Sequence, residues 1–191
     1  VYNGPCAVFY PRMVQVFRCA LLILLVLSAP QAALAARVAL VIGNGKYTAA
    51  GALSNPVNDA RDIAAKLRAM GFTVIDGYDL GKRAMEHKIG DFADLLDADG
   101  TGLFYFAGHG IAVNNRNFVL PVAARLDAPA KLKLEALPAD DIVDMMGQSA
   151  KTSIVILDAC RNNPFARSLS NAAKTRGVQA SEGLTGMQAA T

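Results

Sequence analysis

The chain has 191 residues, of which 53% are hydrophobic and 18% charged, and a formal net charge of +3. That length is enough for one domain with a real hydrophobic core. A charge so close to balance offers no electrostatic footprint for nucleic acid, so no nucleic-acid partner is expected.

The mean hydropathy is positive, and the N-terminus accounts for part of it. Arg12, Met13 and Arg18 precede an apolar run from Cys19 to Leu27, followed by Pro30 and the small-residue stretch Ala33-Leu34-Ala35-Ala36. This is the basic, apolar, Ala-x-Ala order of a secretory signal peptide, and the run is short for a membrane span. Cleavage after Ala35 or Ala36 is expected, which makes the mature protein exported, periplasmic or secreted; the alternative is an uncleaved anchor. Translation is expected to start at Met13, with Val1 to Arg12 upstream of it. Removal of residues 1–36 takes Cys6 and Cys19 with it, leaves Cys160 as the sole thiol, and lowers the net charge to +1 as Arg12 and Arg18 leave. No intramolecular disulfide can then form, and one unpaired thiol kept in an exported domain favours use as a nucleophile.

Beyond the leader, strands and helices alternate without an internal repeat. Val38 to Gly43 reads as a buried strand. Asn55-Pro56 offers an N-cap and a proline at the first helical position, and Val57, Ala60, Ile63, Ala64, Leu67 and Met70 line one side of a helix that Gly71 ends. Phe72 to Tyr78 is a second strand, and Met85, Ile89, Phe92, Leu95 and Leu96 mark the inner face of a second helix. A third strand runs to Gly108, a hairpin turns at Asn114-Asn115 between Ile111 and Leu120, and Leu137 to Met146 is a third helix. This alternation implies an α/β protein, a three-layer α/β/α sandwich with a largely parallel sheet.

The first turn, Gly43-Asn44-Gly45-Lys46-Tyr47-Thr48, does not bind phosphate by either familiar pattern. A P-loop needs four residues between its first Gly and Gly-Lys-Ser/Thr, and the dinucleotide fingerprint needs a third Gly where Thr48 stands. The glycines are explained as a turn leaving the first strand. His87 falls on the polar side of the second helix with no second ligand nearby, and Asp94, Asp97 and Asp99 lack the spacing of a calcium loop. Asp140-Asp141 opens the third helix.

Two segments carry chemistry. Leu103 to Gly110 and Ile154 to Asn162 each begin as an unbroken apolar run, the pattern of a parallel strand buried on both faces. One ends on His109 and the other on Cys160. In an open α/β sheet the carboxyl ends of neighbouring strands share one crevice, so the two can meet. Their separation matches the caspase-type order, with the His about 50 residues upstream of the Cys. Tyr105-Phe106-Ala107-Gly108-His109-Gly110 and Leu157-Asp158-Ala159-Cys160-Arg161-Asn162 resemble the two catalytic motifs of caspase-like peptidases (caspases, metacaspases and paracaspases). Bacterial paracaspase-type domains are the nearest in kind, and the resemblance extends from about Arg37 to Phe165.

That resemblance implies a cysteine endopeptidase with a Cys160–His109 dyad and an oxyanion hole from the backbone N–H groups of Gly110 and Cys160. The third group that orients the His cannot be picked from the sequence. Animal caspases carry Gln-Ala-Cys-x-Gly and choose Asp before the cut, whereas this chain has Asp158 two residues before Cys160. Strand side chains alternate, so Asp158 faces the same side as Cys160 and favours a cation there. In paracaspases and metacaspases the matching Asp helps form an acidic pocket for Arg or Lys, together with an Asp early in the first helix that Asp59 matches. The alternatives are helix N-terminal stabilisation for Asp59 and a structural hydrogen-bond acceptor for Asp158. The substrates implied are proteins or peptides with Arg or Lys before the cut. No cofactor is required; some metacaspases bind calcium through acidic residues in a comparable region, which leaves calcium dependence open.

The organisation expected is a leader and upstream residues over 1–36, a catalytic domain over 37–165, and a flexible linker over 166–191 that leads to a missing C-terminal part of the same domain. A homodimer is a further partner option. Arg167, Lys174 and Arg176 in the linker are self-cleavage candidates. The competing function is a caspase-like binding or scaffold module without activity.

Overall fold

The computed structural model describes residues 35–160 together with 180 and 181. All but the last two residues of the segment read as a leader (1–36) and the self-cleavage candidates Arg167, Lys174 and Arg176 lie outside the described residues.

Apolar continuity builds the centre of the sheet. Strand β1 (Arg37–Gly43) is buried at every residue after Arg37, as a parallel strand covered on both faces must be. It pairs in parallel with β2 (Thr73–Tyr78) on one side and with β3 (Thr101–Val113) on the other. The first nine residues of β3 pair in parallel with β6 (Thr152–Cys160), giving the parallel order β2-β1-β3-β6. The last residues of β3 pair antiparallel with β4 (Arg116–Val119) and with β7 (Ala180–Ser181), and β4 with β5 (Leu137–Pro138). Helix α1 (Pro56–Ala69) covers one face through Ala60, Ala64 and Leu67 against Ala39, Val41, Leu103 and Tyr105. On the other face Met85 and Phe92 of α2 (Lys82–Leu95), with Ile142 and Met146 of α4 (Ala139–Ser149), pack on Val38, Leu40, Phe104 and Phe106. A four-residue helix α3 (Leu132–Glu135) follows a 3-10 turn at Pro129–Lys131. The result is the three-layer α/β/α sandwich that the alternation of elements implied.

Local chemistry accounts for the boundaries. Pro56 opens α1, although Asn55 occupies the cap position without a side-chain cap bond. At the far end Gly71 adopts φ 82°, with Gly71 N–H donating to Arg68 C=O and Phe72 N–H to Leu67 C=O. These two bonds form a Schellman stop that favours glycine. Asn114 and Asn115 take φ of 50° and 59°, the paired positive values of a type I′ hairpin turn, for which Asn is well suited.

Several expectations need correction. Met70 and Leu95 are 60% and 47% exposed, because one is the cap residue beyond α1 and the other the last residue of α2. The third long helix starts at Ala139 rather than Leu137; Pro138 disfavours helical backbone at the residue before it, and Leu137 pairs with Val119 instead. Strand β3 does not stop at Gly108 but continues to Val113. Among the described residues β6 is covered on one side: Val155 and Leu157 pack in the core beneath α2 and α4, whereas Ile154 and Ile156 are 38% and 43% exposed. Within the stretch read as linker, Ala180 and Ser181 form a short strand against Val113 and Ala112.

Candidate active site

The loop that leaves β1 is closed on itself before it reaches any catalytic group. Gly45 C=O accepts from both Tyr47 N–H and Leu53 N–H, and a Cβ on Gly45 would stand 2.6 Å from the Leu53 carbonyl, so only glycine fits this close approach. Asn44 is the buried clamp. Its backbone N–H donates to Ala107 C=O, its Oδ1 accepts from Leu80 N–H at 2.9 Å, and its Nδ2 donates to Leu120 C=O at 3.1 Å. One fully buried side chain thereby ties together the segments after β1, β2 and β4. Replacing Asn44 by Ala leaves the half-buried Leu80 N–H without its acceptor and the buried Leu120 C=O without this donor, and is expected to cost about 1–3 kcal/mol, read as a lower midpoint in denaturant unfolding with an unchanged slope.

Asp79 fastens the same loop from outside. It sits at φ 53°, a conformation Asp tolerates better than most residues. Its Oδ1 accepts from the N–H groups of Gly45 and Lys46, both at 2.9 Å, and Lys46 Nζ lies 3.5 Å from Oδ2. Burial works against its ionisation, but the two N–H donors and the Lys46 ammonium outweigh it and hold the carboxyl below its ordinary value. A folded pKa below the unfolded one gives stability that is complete above about pH 4 and lost as pH falls through the folded value. The stability gap between the wild type and Asp79→Asn should therefore be wide at pH 7 and shrink at pH 3, as urea unfolding at the two values would show.

His109 is held from three directions. The residue is 6% exposed, and its ring lies 4.5 Å, centroid to centroid, from the Tyr47 ring at a 54° tilt. Its Nε2 is 2.7 Å from Gly51 C=O. A carbonyl only accepts, so Nε2 carries a proton, and of the two neutral tautomers this contact selects the one whose lone pair is on Nδ1. Nδ1 is buried and has no hydrogen-bond partner among the described residues. The His109 backbone N–H donates to Tyr47 Oη at 2.8 Å, and Tyr47 Oη donates to Leu120 C=O at 3.2 Å. Leu120 N–H in turn donates to His109 C=O. The tyrosine hydroxyl thus stands where a direct β3–β4 ladder bond would run.

The β3–β6 ladder puts His109 and Cys160 in register as its last pair. Gly110 comes next, paired in register with Val119. Because His109 C=O meets β4, strand alternation turns the Gly110 N–H to the opposite side of β3, where β6 ends. The backbone therefore brings His109, Gly110 and Cys160 to the point where the parallel pairing of β3 with β6 ends. It gathers the two acidic residues in a neighbouring place: Asp59 and Asp158 line one cleft of about 230 Å³ with Ser54, Asn55, Ala107 and Gly108. His87 is exposed on α2, and Asp140 and Asp141 lie in the first turn of α4, paired with Arg116 of β4. The sequence reading missed the Gly51 carbonyl, Tyr47 and Asn44. A backbone acceptor has no residue signature, and the one available signal for the others was a polar residue at the end of an all-apolar strand.

An α/β/α sandwich with a His and a Cys in register where the parallel pairing of two adjacent strands ends belongs to the class of caspase-like cysteine protease folds. Residues 36–189 match the caspase domain, and the chain belongs to that family. It is 34% identical over 128 residues to the human mucosa-associated lymphoid tissue lymphoma translocation protein 1, a match covering 65% of this chain and 15% of that protein. The mouse homolog matches to the same extent, so the chain spans 15% of the length of these curated relatives. A crystal structure of a protein from Geobacter sulfurreducens shares the fold with a TM-score of 0.51 at 19% identity, over 65% of this chain and 50% of that one.

Proposed function

We propose that the protein is a paracaspase-type cysteine endopeptidase in which Cys160 is the nucleophile, His109 the general base, and Arg or Lys the residue before the cut. The observation that carries this reading is the register of His109 with Cys160, joined to an imidazole whose Nε2–H is committed to Gly51 C=O. A thiol with pKa near 8.5 is mostly protonated at neutral pH and needs a base. His109 Nδ1 accepts the Cys160 proton, and the thiolate attacks the scissile carbonyl carbon. The N–H groups of Gly110 and Cys160 stabilise the resulting oxyanion. The imidazolium returns its proton to the departing amine, and a water deprotonated by His109 then releases the acyl group and restores the thiol. Gly51 C=O is the orienting group of this dyad, holding one tautomer through the cycle.

Asp59 and Asp158 supply the charge preference. Two carboxylates in one cleft of about 230 Å³ attract a cation, and they repel an acidic side chain, which would lose its water without gaining a partner. Reporter peptides differing only in the residue before the cut test this with the full-length protein. Arg and Lys reporters should exceed the Asp reporter by about a thousandfold in kcat/KM, equivalent to about 4 kcal/mol. Comparable cleavage of the Asp reporter would remove the two carboxylates from the pocket, and no cleavage of any reporter would favour the scaffold alternative. The leader motif supports export, and a mature N-terminus at Met13 would contradict it.

A further inference from the structure

One carboxylate of the acidic cleft is held by a side chain that the proposed function leaves unused. Tyr105 lies on β3, on the face that α1 covers, and is 4% exposed. Its hydroxyl reaches Asp158 Oδ2 at 3.3 Å. Burial, then the charge and hydrogen bond of Asp158, then the charge of Asp59 all hold the phenol protonated far above its ordinary range. A phenol that keeps its proton is a donor at every working pH, and an ionised carboxylate only accepts. The proton of this bond therefore belongs to Tyr105, with Asp158 as its target.

Asp158 needs such a partner. It is exposed on β6, and its register neighbour on β3 is Ala107, which has no polar side chain to hold it. An exposed carboxylate with no fixed donor samples its rotamers, and ordering it when a cation arrives costs affinity. With Oδ2 engaged by Tyr105, Asp158 Oδ1 remains to pair with a cation in the cleft that Asp59 also lines.

We infer that Tyr105 is a positioning residue of the specificity pocket: its hydroxyl seats the Asp158 carboxylate in the cleft shared with Asp59, and so sets the affinity for the cationic side chain before the cut. The inference rests on the assignment of Asp59 and Asp158 to substrate binding. Tyr105 acts through Asp158 and touches no reacting atom, so its removal weakens binding without slowing chemistry.

A double-mutant cycle on an Arg reporter separates the two claims. Tyr105→Phe keeps the buried ring and deletes the hydroxyl; it should raise KM by about three- to tenfold and leave kcat within about twofold. Asp158→Asn should raise KM more. In the Asp158→Asn background, adding Tyr105→Phe should change KM by less than about twofold. An equal KM increase in both backgrounds, or a loss confined to kcat, would overturn the positioning role and leave the pocket standing. The same follows if Tyr105→Phe leaves KM unchanged while Asp158→Asn raises it. If Asp158→Asn itself leaves KM unchanged, the pocket assignment fails and the role of Tyr105 falls with it.

Discussion

Cys160→Ala is expected to abolish peptide cleavage by the full-length protein, and His109→Ala to lower kcat by about 10²- to 10⁴-fold, the usual contribution of a general base. Cysteine has no substitute as nucleophile, since alanine leaves nothing to form the acyl intermediate. A trace of turnover survives loss of the base because a small fraction of the thiol ionises unaided near neutral pH. Both variants should fold. Cys160 is the last residue of its strand, and removing the imidazole frees one carbonyl, Gly51 C=O, that water can satisfy. Circular dichroism and unfolding midpoints check the fold, and kinetics on an Arg reporter check the activity. Turnover unchanged in either variant would contradict the dyad.

Gly108→Ala should produce the second large effect, on stability and activity together. Gly108 sits at φ 153°, and a Cβ there would stand 2.5 Å from Tyr47 Oη, 2.9 Å from Phe106 Cζ and 3.0 Å from Asn44 C=O. None of these neighbours yields cheaply. Tyr47 Oη is fixed by the His109 N–H and Leu120 C=O, Phe106 is in the core, and Asn44 is the buried clamp of the loop. Overpacking of this kind, added to an unfavourable backbone conformation, is expected to cost about 2–4 kcal/mol. Whatever shift relieves the clash moves Tyr47 against the His109 ring. The folded fraction should therefore show a reduced kcat as well as a lower unfolding midpoint. A variant with wild-type stability and kcat would show that this close packing does not hold the histidine.

Much of this arrangement was legible because its causes are local. The unbroken apolar runs of β1 and β3 gave buried parallel strands, Pro56 and Gly71 bracketed α1, and Asn114-Asn115 made the hairpin turn. The His109 and Cys160 positions followed from the rule that parallel strands deliver their carboxyl ends to one crevice. What stayed hidden depends on neighbours distant in sequence. Ile154 and Ile156 look like core residues in an unbroken apolar run, yet α1 covers β1, β2 and β3 and leaves them exposed. The continuation of β3 past Gly108 needs β4 folded back against it. Gly51 reaches His109 only because the Gly45–Leu53 closure bends the loop, and Tyr105 is one aromatic residue in a strand of them until its register beside β6 brings the hydroxyl to Asp158.

The central claim is a Cys160 nucleophile activated beside an acidic pocket, and covalent titration tests it most directly. Full-length protein is incubated with thiol-reactive peptide electrophiles that end in Arg or in Asp, and the adduct is mapped by mass spectrometry. The account predicts one equivalent of the Arg reagent on Cys160, slow labelling in His109→Ala, and little reaction with the Asp reagent. Labelling of another residue, or equal reaction with both reagents, would contradict it.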